Sequence, residues 1–464
     1  MHGVGAVRVH IGKDRRSSRR KRGLPDHYAA YPIAHLIPTP ERLIVVKVRV
    51  GDGEWVKDRP GRINPASAVP SERRGTLRFA SSVTAATEAD QAVEELLAPL
   101  DARVTPGAVD LALFFATPHF DDDLAEVLER VAAKLPNAVL LGCTAEGTIG
   151  VDRELERVPS MSLLAASMPD VLVRPFHLRQ EPLESARTAL DWERIVAVAA
   201  ESKPTFVAFG DPFSVDIYAA IEQINEFFPK APLVGGIASA GHEPRGNRLI
   251  LNGEIFEEGL VGVALTGRLT VKTVVSQGCR PIGKPYVITR GDRNIIHELG
   301  GRPALERLQH TLAGLSEEDE QLARQSLFVG RVIDEYKGHF GRGDFLIHSI
   351  LGADRKSGAI GIAGHARVGA TMQFHVRDAH SADEDLRAML GPFAGGDAQG
   401  AMLFGCNGRG THMWPTAGHD VGVLREVLGE IPVAGFFCGG EFGPIGGKNF
   451  IHGFTASIAL FCEP

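Results

Sequence analysis

The sequence predicts an α/β protein of two domains in which helices flank mixed β-sheets. The first observation is a recurring order of a short apolar run, an amphipathic stretch and a second apolar run that ends in glycine. This order is typical of a βαβ unit whose parallel strands are buried on both faces. The second observation is that the order occurs three times along the chain. Because further strand-like runs follow each unit, we expect mixed rather than purely parallel sheets.

The predicted strands and helices follow from the three copies of this internal repeat. The runs and helical stretches lie at residues 111–115, 121–134 and 138–142, at 206–210, 215–228 and 232–235, and at 401–405, 421–428 and 431–435. The additional strand-like runs are 159–168, 248–251, 259–265, 449–454 and 456–462. A further hairpin is predicted from 345–354 and 359–362, which flank a Lys-Ser-Gly turn. We divide the folded part of the chain into domains of residues 76–278 and 279–464.

Residues 1–75 differ in composition from the rest and are interpreted as a basic, disordered extension. They hold 16 Lys and Arg against 7 Asp and Glu, whereas the whole chain carries a net charge of −7. The remaining, acidic body gives no general electrostatic reason to bind nucleic acid. No apolar run reaches the roughly 18 residues that cross a bilayer, and the first residues lack the order of a secretory signal. We expect a cytoplasmic protein that binds neither nucleic acid nor membrane.

Polar residues recur in the turns after the second strand of each unit. A thiol or hydroxyl precedes an acid or base by three residues in all three turns, as Cys143 and Glu146, Ser239 and His242, and Cys438 and Glu441. Glycines accompany every turn and permit a close approach of the backbone to another group. Since ligands of open α/β sheets often bind beyond the carboxyl ends of strands, these turns are predicted to form a ligand site. The alternative is that they are only tight turns that the fold requires.

The last third of the chain holds the densest group of functional side chains. Its members are Cys406, Arg409, His412, Cys438, Glu441, Asn449 and His452. Arg409 lies between two glycines, where its guanidinium can bind a ligand carboxylate with two hydrogen bonds. A structural ion pair with Glu441 is the alternative. Farther upstream, strand alternation places His375 and Arg377 on one face, either toward a cleft between the domains or simply exposed.

The thiol and imidazole groups of the same residues are also of the kinds that bind metals or act in nucleophilic catalysis. Two cysteines and two histidines of this group could surround Zn²⁺, but no CxxC or HxxxH spacing is present, so no metal or cofactor is predicted. The five cysteines are too few and scattered for a disulfide framework and are expected to be reduced. A thiol enzyme that uses Cys143 with Glu146, or Cys438 with His452, remains an alternative. No GxSxG, P-loop or dinucleotide-binding pattern occurs.

Three stretches of the chain resemble the FIST family of domains. They are GCTAEG at 142–147, GKPYVITR at 283–290 with NIIHEL at 294–299 and GRPAL at 301–305, and LFGCNGRG at 403–410 with GFFCGGEFGP at 435–444 and NFIHG at 449–453. The resemblance covers residues 76–462. It implies an intracellular module that senses small ligands, including amino acids, for signal transduction. No kinase, cyclase, methyl-accepting or F-box pattern accompanies it, so the output is expected to pass through a signalling partner.

The predicted function is a ligand-binding sensory module rather than an enzyme. In this hypothesis Arg409 and the backbone N–H groups of residues 435–440 hold the carboxylate of an amino acid or other small acid, and Glu441 accepts from the ligand amine. The predicted ligand-binding residues are Cys143, Thr144, Glu146, Ser239, His242, His375, Arg377, Cys406, Arg409, Cys438, Gly439, Gly440, Glu441, Asn449 and His452. The remaining alternative is a protein-interaction scaffold without a small ligand.

Overall fold

The computed structural model describes residues 75–464. The predicted basic extension, apart from Gly75, lies outside the described residues.

The described chain forms three consecutive units of strands and helices. The first unit consists of β1 (Arg78–Thr84), α1 (Ala89–Leu97), β2 (Leu111–Ala116), α2 (Leu124–Lys134), β3 (Val139–Thr144), β4 (Gly147–Ile149), β5 (Glu154–Glu156) and β6 (Met161–Ser167). The second consists of β7 (Val171–Leu178), α3 (Gln180–Ser185), α4 (Ala189–Val196), β8 (Thr205–Gly210), α5 (Ile217–Phe227), β9 (Leu233–Ile237), β10 (Leu249–Leu251), β11 (Glu254–Phe256) and β12 (Leu260–Gly267).

The third unit is split by an insert of residues 279–377. It begins with β13 (Thr270–Gln277). The insert follows as β14 (Cys279–Asp292), β15 (Ile295–Leu299), β16 (Arg302–Pro303), α6 (Ala304–Leu312), α7 (Glu317–Gln325), β17 (Leu327–Val332), β18 (Phe345–Asp354), β19 (Ala359–Ile362) and β20 (Thr371–Arg377). The unit resumes with α8 (Ala379–Leu390), β21 (Ala398–Cys406), α9 (His419–Leu428), β22 (Val433–Cys438), β23 (Glu441–Ile445), β24 (Lys448–His452) and β25 (Thr455–Cys462).

Three six-stranded sheets share one pattern of pairing. Their orders are β1-β6-β2-β3-β10-β11, β7-β12-β8-β9-β23-β24 and β13-β25-β21-β22-β4-β5. In each sheet the third and fourth strands are parallel and all other neighbours are antiparallel, so the predicted α/β class with mixed sheets is confirmed. The hairpin at the end of each sheet comes from a different unit. Unit one supplies it to the third sheet, unit two to the first and unit three to the second, which brings turns of different units together.

A glycine is required at one register position of each parallel pair. A Cβ on Gly142 would lie 1.9 Å from the carbonyl oxygen of Phe114, and a Cβ on Gly435 would lie 1.7 Å from that of Leu403. At the matching place in the second sheet, Gly235 has φ +134° and its Cβ would lie 2.0 Å from the oxygen of Ala208. Any side chain would therefore force the strands apart. These are the glycines that end the second apolar run of each unit in the sequence.

The inner faces of the three sheets pack on one another around three phenylalanines. Phe115, Phe209 and Phe404 are fully buried, and their ring centroids are 5.2, 5.8 and 6.4 Å apart. Helices cover the outer faces: α1 and α2 the first sheet, α3 to α5 the second, and α8 and α9 the third. Burial on both faces explains why the strands read as continuous apolar runs.

The insert forms a fourth sheet of seven strands, ordered β14-β20-β17-β18-β19-β15-β16. The predicted hairpin of residues 345–354 and 359–362 is its β18–β19 pair. The predicted domain boundary between residues 278 and 279 falls where this sheet begins. However, β13, before the boundary, pairs with β25, after it. The division into two domains at that boundary stays a prediction.

Candidate functional site

The turns that follow β3, β9 and β22 meet at one place. Ser239 joins all three, because its Oγ accepts from the backbone N–H of Glu146 at 3.0 Å and donates to the carbonyl oxygen of Phe437 at 2.6 Å. Ile237 and the neighbouring glycines add two backbone hydrogen bonds: Ile237 N donates to Gly440 O at 2.9 Å, and Gly439 N donates to Ile237 O at 3.0 Å. The three turns predicted from the sequence are thus in direct contact.

The recurring polar pairs do not occupy one structural position. In the parallel ladders Cys143 lies opposite Phe115, whereas the residues opposite Phe209 and Phe404 are Gly236 and Phe436. Ser239 and Cys438 lie three and two residues beyond these positions. The predicted equivalence of Cys143, Ser239 and Cys438 is therefore wrong. Equal spacing within a turn does not define strand register, which is set by the buried phenylalanines and glycines.

A small polar cleft, here called the turn cleft, opens beside this junction and has an internal volume of about 10 Å³. It is lined by Glu146, Gly147, Glu156, Arg157, Asn407, His412 and Phe437. Glu156 and Arg157 arrive on the β4–β5 hairpin of unit one, and Asn407 and His412 lie in the loop after β21 of unit three. The exchange of hairpins between units therefore builds the cleft.

Hydrogen bonds hold the hairpin and the loop together around the cleft. Asn407 Nδ2 donates to Glu146 Oε2 at 2.8 Å, and Arg157 Nη2 lies 2.6 Å from His412 Nε2. Because the guanidinium can only donate, His412 Nε2 accepts and the ring is neutral there. Burial, followed by the charge of Arg157, lowers the pKa of His412. Glu156 accepts from the backbone N–H and the hydroxyl of Thr411 at 2.8 and 3.0 Å.

Residues with charges of both signs line the turn cleft, and one lining residue, Asn407, has an unpaired acceptor. Burial raises the pKa of Glu146, an effect that His242 and Arg157 offset in part. The Asn407 Oδ1 atom is buried and has no hydrogen-bond partner among the described residues. A molecule that carries an N–H donor can satisfy that oxygen, while Glu146 and Arg157 complement its positive and negative groups.

Arg409 lies outside the turn cleft and does not form the predicted carboxylate clamp. Its side chain is 0% exposed and donates to both carboxylate oxygens of Asp420, from Nε at 2.6 Å and from Nη2 at 2.8 Å. Its guanidinium also lies 4.9 Å from the centre of the Trp414 ring. The ion-pair interpretation describes Arg409 better, although the partner is Asp420 and not Glu441. No face of this guanidinium is open to a ligand.

Three other predicted residues serve the packing of β22 to β25. Glu441 is fully buried and accepts at Oε2 from the Thr455 hydroxyl at 2.8 Å. His452 donates from Nε2 to Gly443 O at 2.9 Å. The Asn449 side chain accepts from Leu233 N at 2.8 Å and donates to Ala231 O at 2.9 Å, which fixes β24 against the second sheet. None of the three lines the turn cleft.

The other predicted residues described next do not line the turn cleft but pack or form hydrogen bonds around it. His375 is buried against Phe345, with ring centroids 4.6 Å apart, and so does not face a cleft. Arg377 Nη1 donates to Gly408 O at 3.0 Å and steadies the loop that carries Asn407. The Thr144 hydroxyl accepts from Arg248 N at 2.9 Å. Gly439 and Gly440 contact Ile237 in the backbone bonds described above.

All five cysteines are buried and unbonded to one another. Burial raises the pKa of the Cys143 thiol, and burial followed by the charge of Glu441 does the same at Cys438. Between residues 75 and 464, no cluster of three or more His, Cys, Asp and Glu side chains is placed to hold a metal ion. Over the same span, no helix is both long and apolar enough to cross a membrane.

The comparisons with known proteins agree with the resemblance seen in the sequence. The chain matches the FIST N domain over residues 110–302 and the FIST C domain over residues 304–444. It is 38% identical over 392 residues to uncharacterized proteins of Mycobacterium tuberculosis and Mycobacterium bovis, which covers 83% of this chain and 99 to 100% of theirs.

Among solved structures, the cyanuric acid hydrolase of A. caulinodans matches with a TM-score of 0.34 and 10% identity, over 84% of this chain and 99% of that one. A second cyanuric acid hydrolase matches with a TM-score of 0.31 and 10% identity, over 84% of this chain and 100% of that one. Both domain matches and the full-length relatives lead to one conclusion: the chain belongs to the FIST family.

Proposed function

We propose that this protein is a sensory module that binds a small zwitterion, such as an amino acid, in the turn cleft. The observation that supports the proposal best is the buried, unpaired oxygen of Asn407, a residue that lines a small polar cleft together with Glu146 and Arg157. FIST domains in general are small-ligand sensory domains of signalling proteins. The space inside the cleft is about 10 Å³, roughly that of one water molecule, so an amino acid would enter only as the hairpin and the loop move apart.

In the proposed complex the ligand ammonium group donates to Glu146 and to Asn407 Oδ1. The ligand carboxylate accepts from Arg157, whose guanidinium carries five N–H donors and can serve His412 at the same time. In this proposal Arg157 binds the ligand carboxylate, which the sequence-based hypothesis had assigned to Arg409. Because the ligand would join the unit-one turn and hairpin to the unit-three loop, binding would stiffen the contact between these units. A cytoplasmic partner that binds at this contact and recognises its stiffened state would transmit the signal.

Amino acids at about 100 times their dissociation constant are expected to stabilise the protein by about 2.7 kcal/mol. A thermal-shift screen of amino acids and plain carboxylic acids measures this, and zwitterions should give the larger shifts. Arg157→Gln should abolish the shift. Arg153→Gln is the matched control, because Arg153 lies in the same hairpin but pairs with Asp152 at the surface. An undiminished shift in Arg157→Gln would contradict the binding mode, and a flat screen would favour a protein-interaction scaffold.

We also propose that the protein is not a thiol enzyme. A nucleophilic cysteine needs an accessible thiolate with a lowered pKa, whereas burial raises the pKa of both Cys143 and Cys438. His452, the base considered for Cys438, already bonds Gly443 O. Iodoacetamide should therefore leave both thiols unmodified in the native protein and alkylate all five cysteines after denaturation, as intact mass and peptide mapping would show. Near-stoichiometric labelling of Cys143 or Cys438 in the native protein would overturn this proposal.

A further inference from the structure

A second polar site lies in the insert, away from the turn cleft, and is centred on Arg331. This residue is on β17, and its neighbour His348 is on β18. The register pairs Val329 with His348 and Arg331 with Leu346, so Arg331 and His348 are diagonal neighbours on one face of the sheet. The loop after β19 covers His348 closely, because a Cβ on Gly364 would lie 2.6 Å from His348 Nδ1.

Arg331 is half-buried, yet within residues 75–464 it forms no ion pair, and its Nε is buried without a hydrogen-bond partner. Burial, and then the charge of Arg367, lower the pKa of Arg331. The acids that face it are Glu335 and Glu222, both exposed at the rim. A partly buried guanidinium without a partner is unfavourable, so an anion from outside the chain would relieve it.

His348 defines which anion fits. Its side chain is 8% exposed, and Nδ1 lies 3.0 Å from Ala363 O, so Nδ1 carries the proton and donates. Burial and the charge of Arg331 lower the pKa of His348 to about 4, which keeps the ring neutral at physiological pH. The Nε2 atom is then an acceptor, and it is buried without a partner among the described residues. The site therefore offers donors from Arg331 beside an acceptor that needs an O–H group.

Exposed residues of the loop after β19 lie around Arg331 and His348. His365 and Arg367 are exposed on the loop after β19, and the His365 ring lies 6.3 Å from that of Tyr218 on α5. The site thus lies where the insert approaches the helix that follows β8. Ligands often bind beyond the carboxyl ends of such strands.

We propose that Arg331 and His348 form a binding site for a phosphate group that carries one proton. The guanidinium binds two phosphate oxygens in bidentate geometry, and the phosphate O–H donates to His348 Nε2. Inorganic phosphate keeps a proton near neutral pH, whereas sulfate does not, so the site should prefer phosphate to sulfate. Free phosphate and a phosphate monoester share this chemistry, and near pH 6 both populate a form that carries an O–H group.

Isothermal titration of the full chain with inorganic phosphate, glycerol 3-phosphate and sulfate, at about pH 6 and constant ionic strength, tests this site, because both phosphates can carry an O–H group there while His348 stays neutral. Arg331→Gln should weaken phosphate binding roughly tenfold or more, because the bidentate contact is lost. Arg355→Gln changes an exposed arginine in the turn between β18 and β19, and this variant should bind phosphate like the native protein. Arg331→Lys keeps the positive charge but loses the bidentate guanidinium, so its phosphate affinity should lie between those of Arg331→Gln and the native protein. Tighter binding of glycerol 3-phosphate than of phosphate would identify a monoester as the source of the group.

His348→Leu distinguishes a specific site from a general attraction of anions. It removes the acceptor, so it should reduce the preference for phosphate over sulfate, whereas Arg331→Gln should leave the amino-acid response of the turn cleft unchanged. Equal binding of sulfate and phosphate by the native protein would overturn the proposal. Phosphate affinity in Arg331→Gln and Arg331→Lys that matches Arg355→Gln would overturn it as well.

Discussion

Asp420→Ala is expected to lower the free energy of unfolding by about 3–5 kcal/mol, because it leaves the Arg409 guanidinium charged and unpaired in the interior. Arg409 is 0% exposed and Asp420 2% exposed, and two short hydrogen bonds join them. Burial acts to raise the pKa of Asp420, but the Arg409 guanidinium outweighs burial and holds this pKa at about 2. The pair is therefore charged at neutral pH. Urea denaturation at neutral pH measures the loss.

Asp397→Ala is the matched control, because Asp397 forms an exposed ion pair with Lys272 at 3.1 Å. Exposed pairs of this kind contribute about 0–1 kcal/mol. The double variant Arg409→Met with Asp420→Leu removes both charges together and should recover much of the stability lost in Asp420→Ala. If Asp420→Ala and Asp397→Ala lose the same stability, the buried pair does not anchor this part of the fold.

The ion pair also explains why Arg409 looked like a ligand clamp in the sequence. It occurs in a glycine-rich loop beside functional residues, and the same loop does place Asn407 and His412 in the turn cleft. Its partner, Asp420, lies in the first turn of α9, and no sequence pattern links the two residues. The sequence therefore indicated a loop that lines the turn cleft, but the direction of the Arg409 side chain depends on tertiary packing.

Much of the fold could be predicted because the strands of each unit are buried on both faces. The runs at 206–210 and 401–405 correspond to β8 and the end of β21. The predicted helix at 121–134 begins later, at Leu124, since residues 121–123 form a turn after the 3₁₀ helix Pro118–Phe120. The exchange of hairpins could not be predicted, since strands far apart in the chain pair through backbone groups that leave no local pattern.

The glycine-rich turns indicated from the sequence do meet, whereas the residues that a remote element brings to the turn cleft were not predicted. Glu146 and Ser239 were expected from their glycine-rich turns, and they do meet. Arg157 was missed because it follows β5 in an ordinary charged stretch, with no glycine or repeated spacing to distinguish it. Only the pairing of β4 with β22 brings that stretch to the loop of Asn407.

Glu441→Gln is expected to stabilise the protein by several kcal/mol near pH 8.5 and to flatten the pH dependence of its stability. Burial raises the pKa of Glu441 to about 8, against an ordinary value of 4.5, so the folded protein keeps this carboxyl protonated at neutral pH. The unfolded chain releases that proton above about pH 4.5. Stability therefore falls as pH rises from about 4.5 to about 8 and then levels off.

The clearest window for this test is about pH 6.5 to 8.5. Burial lowers the pKa of His452 to about 4, so this buried histidine adds stability as pH rises to about 6.5 and masks the effect below that value. Glutamine keeps the shape of the protonated acid and cannot ionise, so urea midpoints of Glu441→Gln should change less across the window than those of the native protein. Glu154, whose pKa burial raises to about 8, will leave part of the slope in place. The exposed Glu129→Gln should keep the native slope, and a Glu441→Gln slope equal to it would mean that Glu441 is ionised in the folded protein.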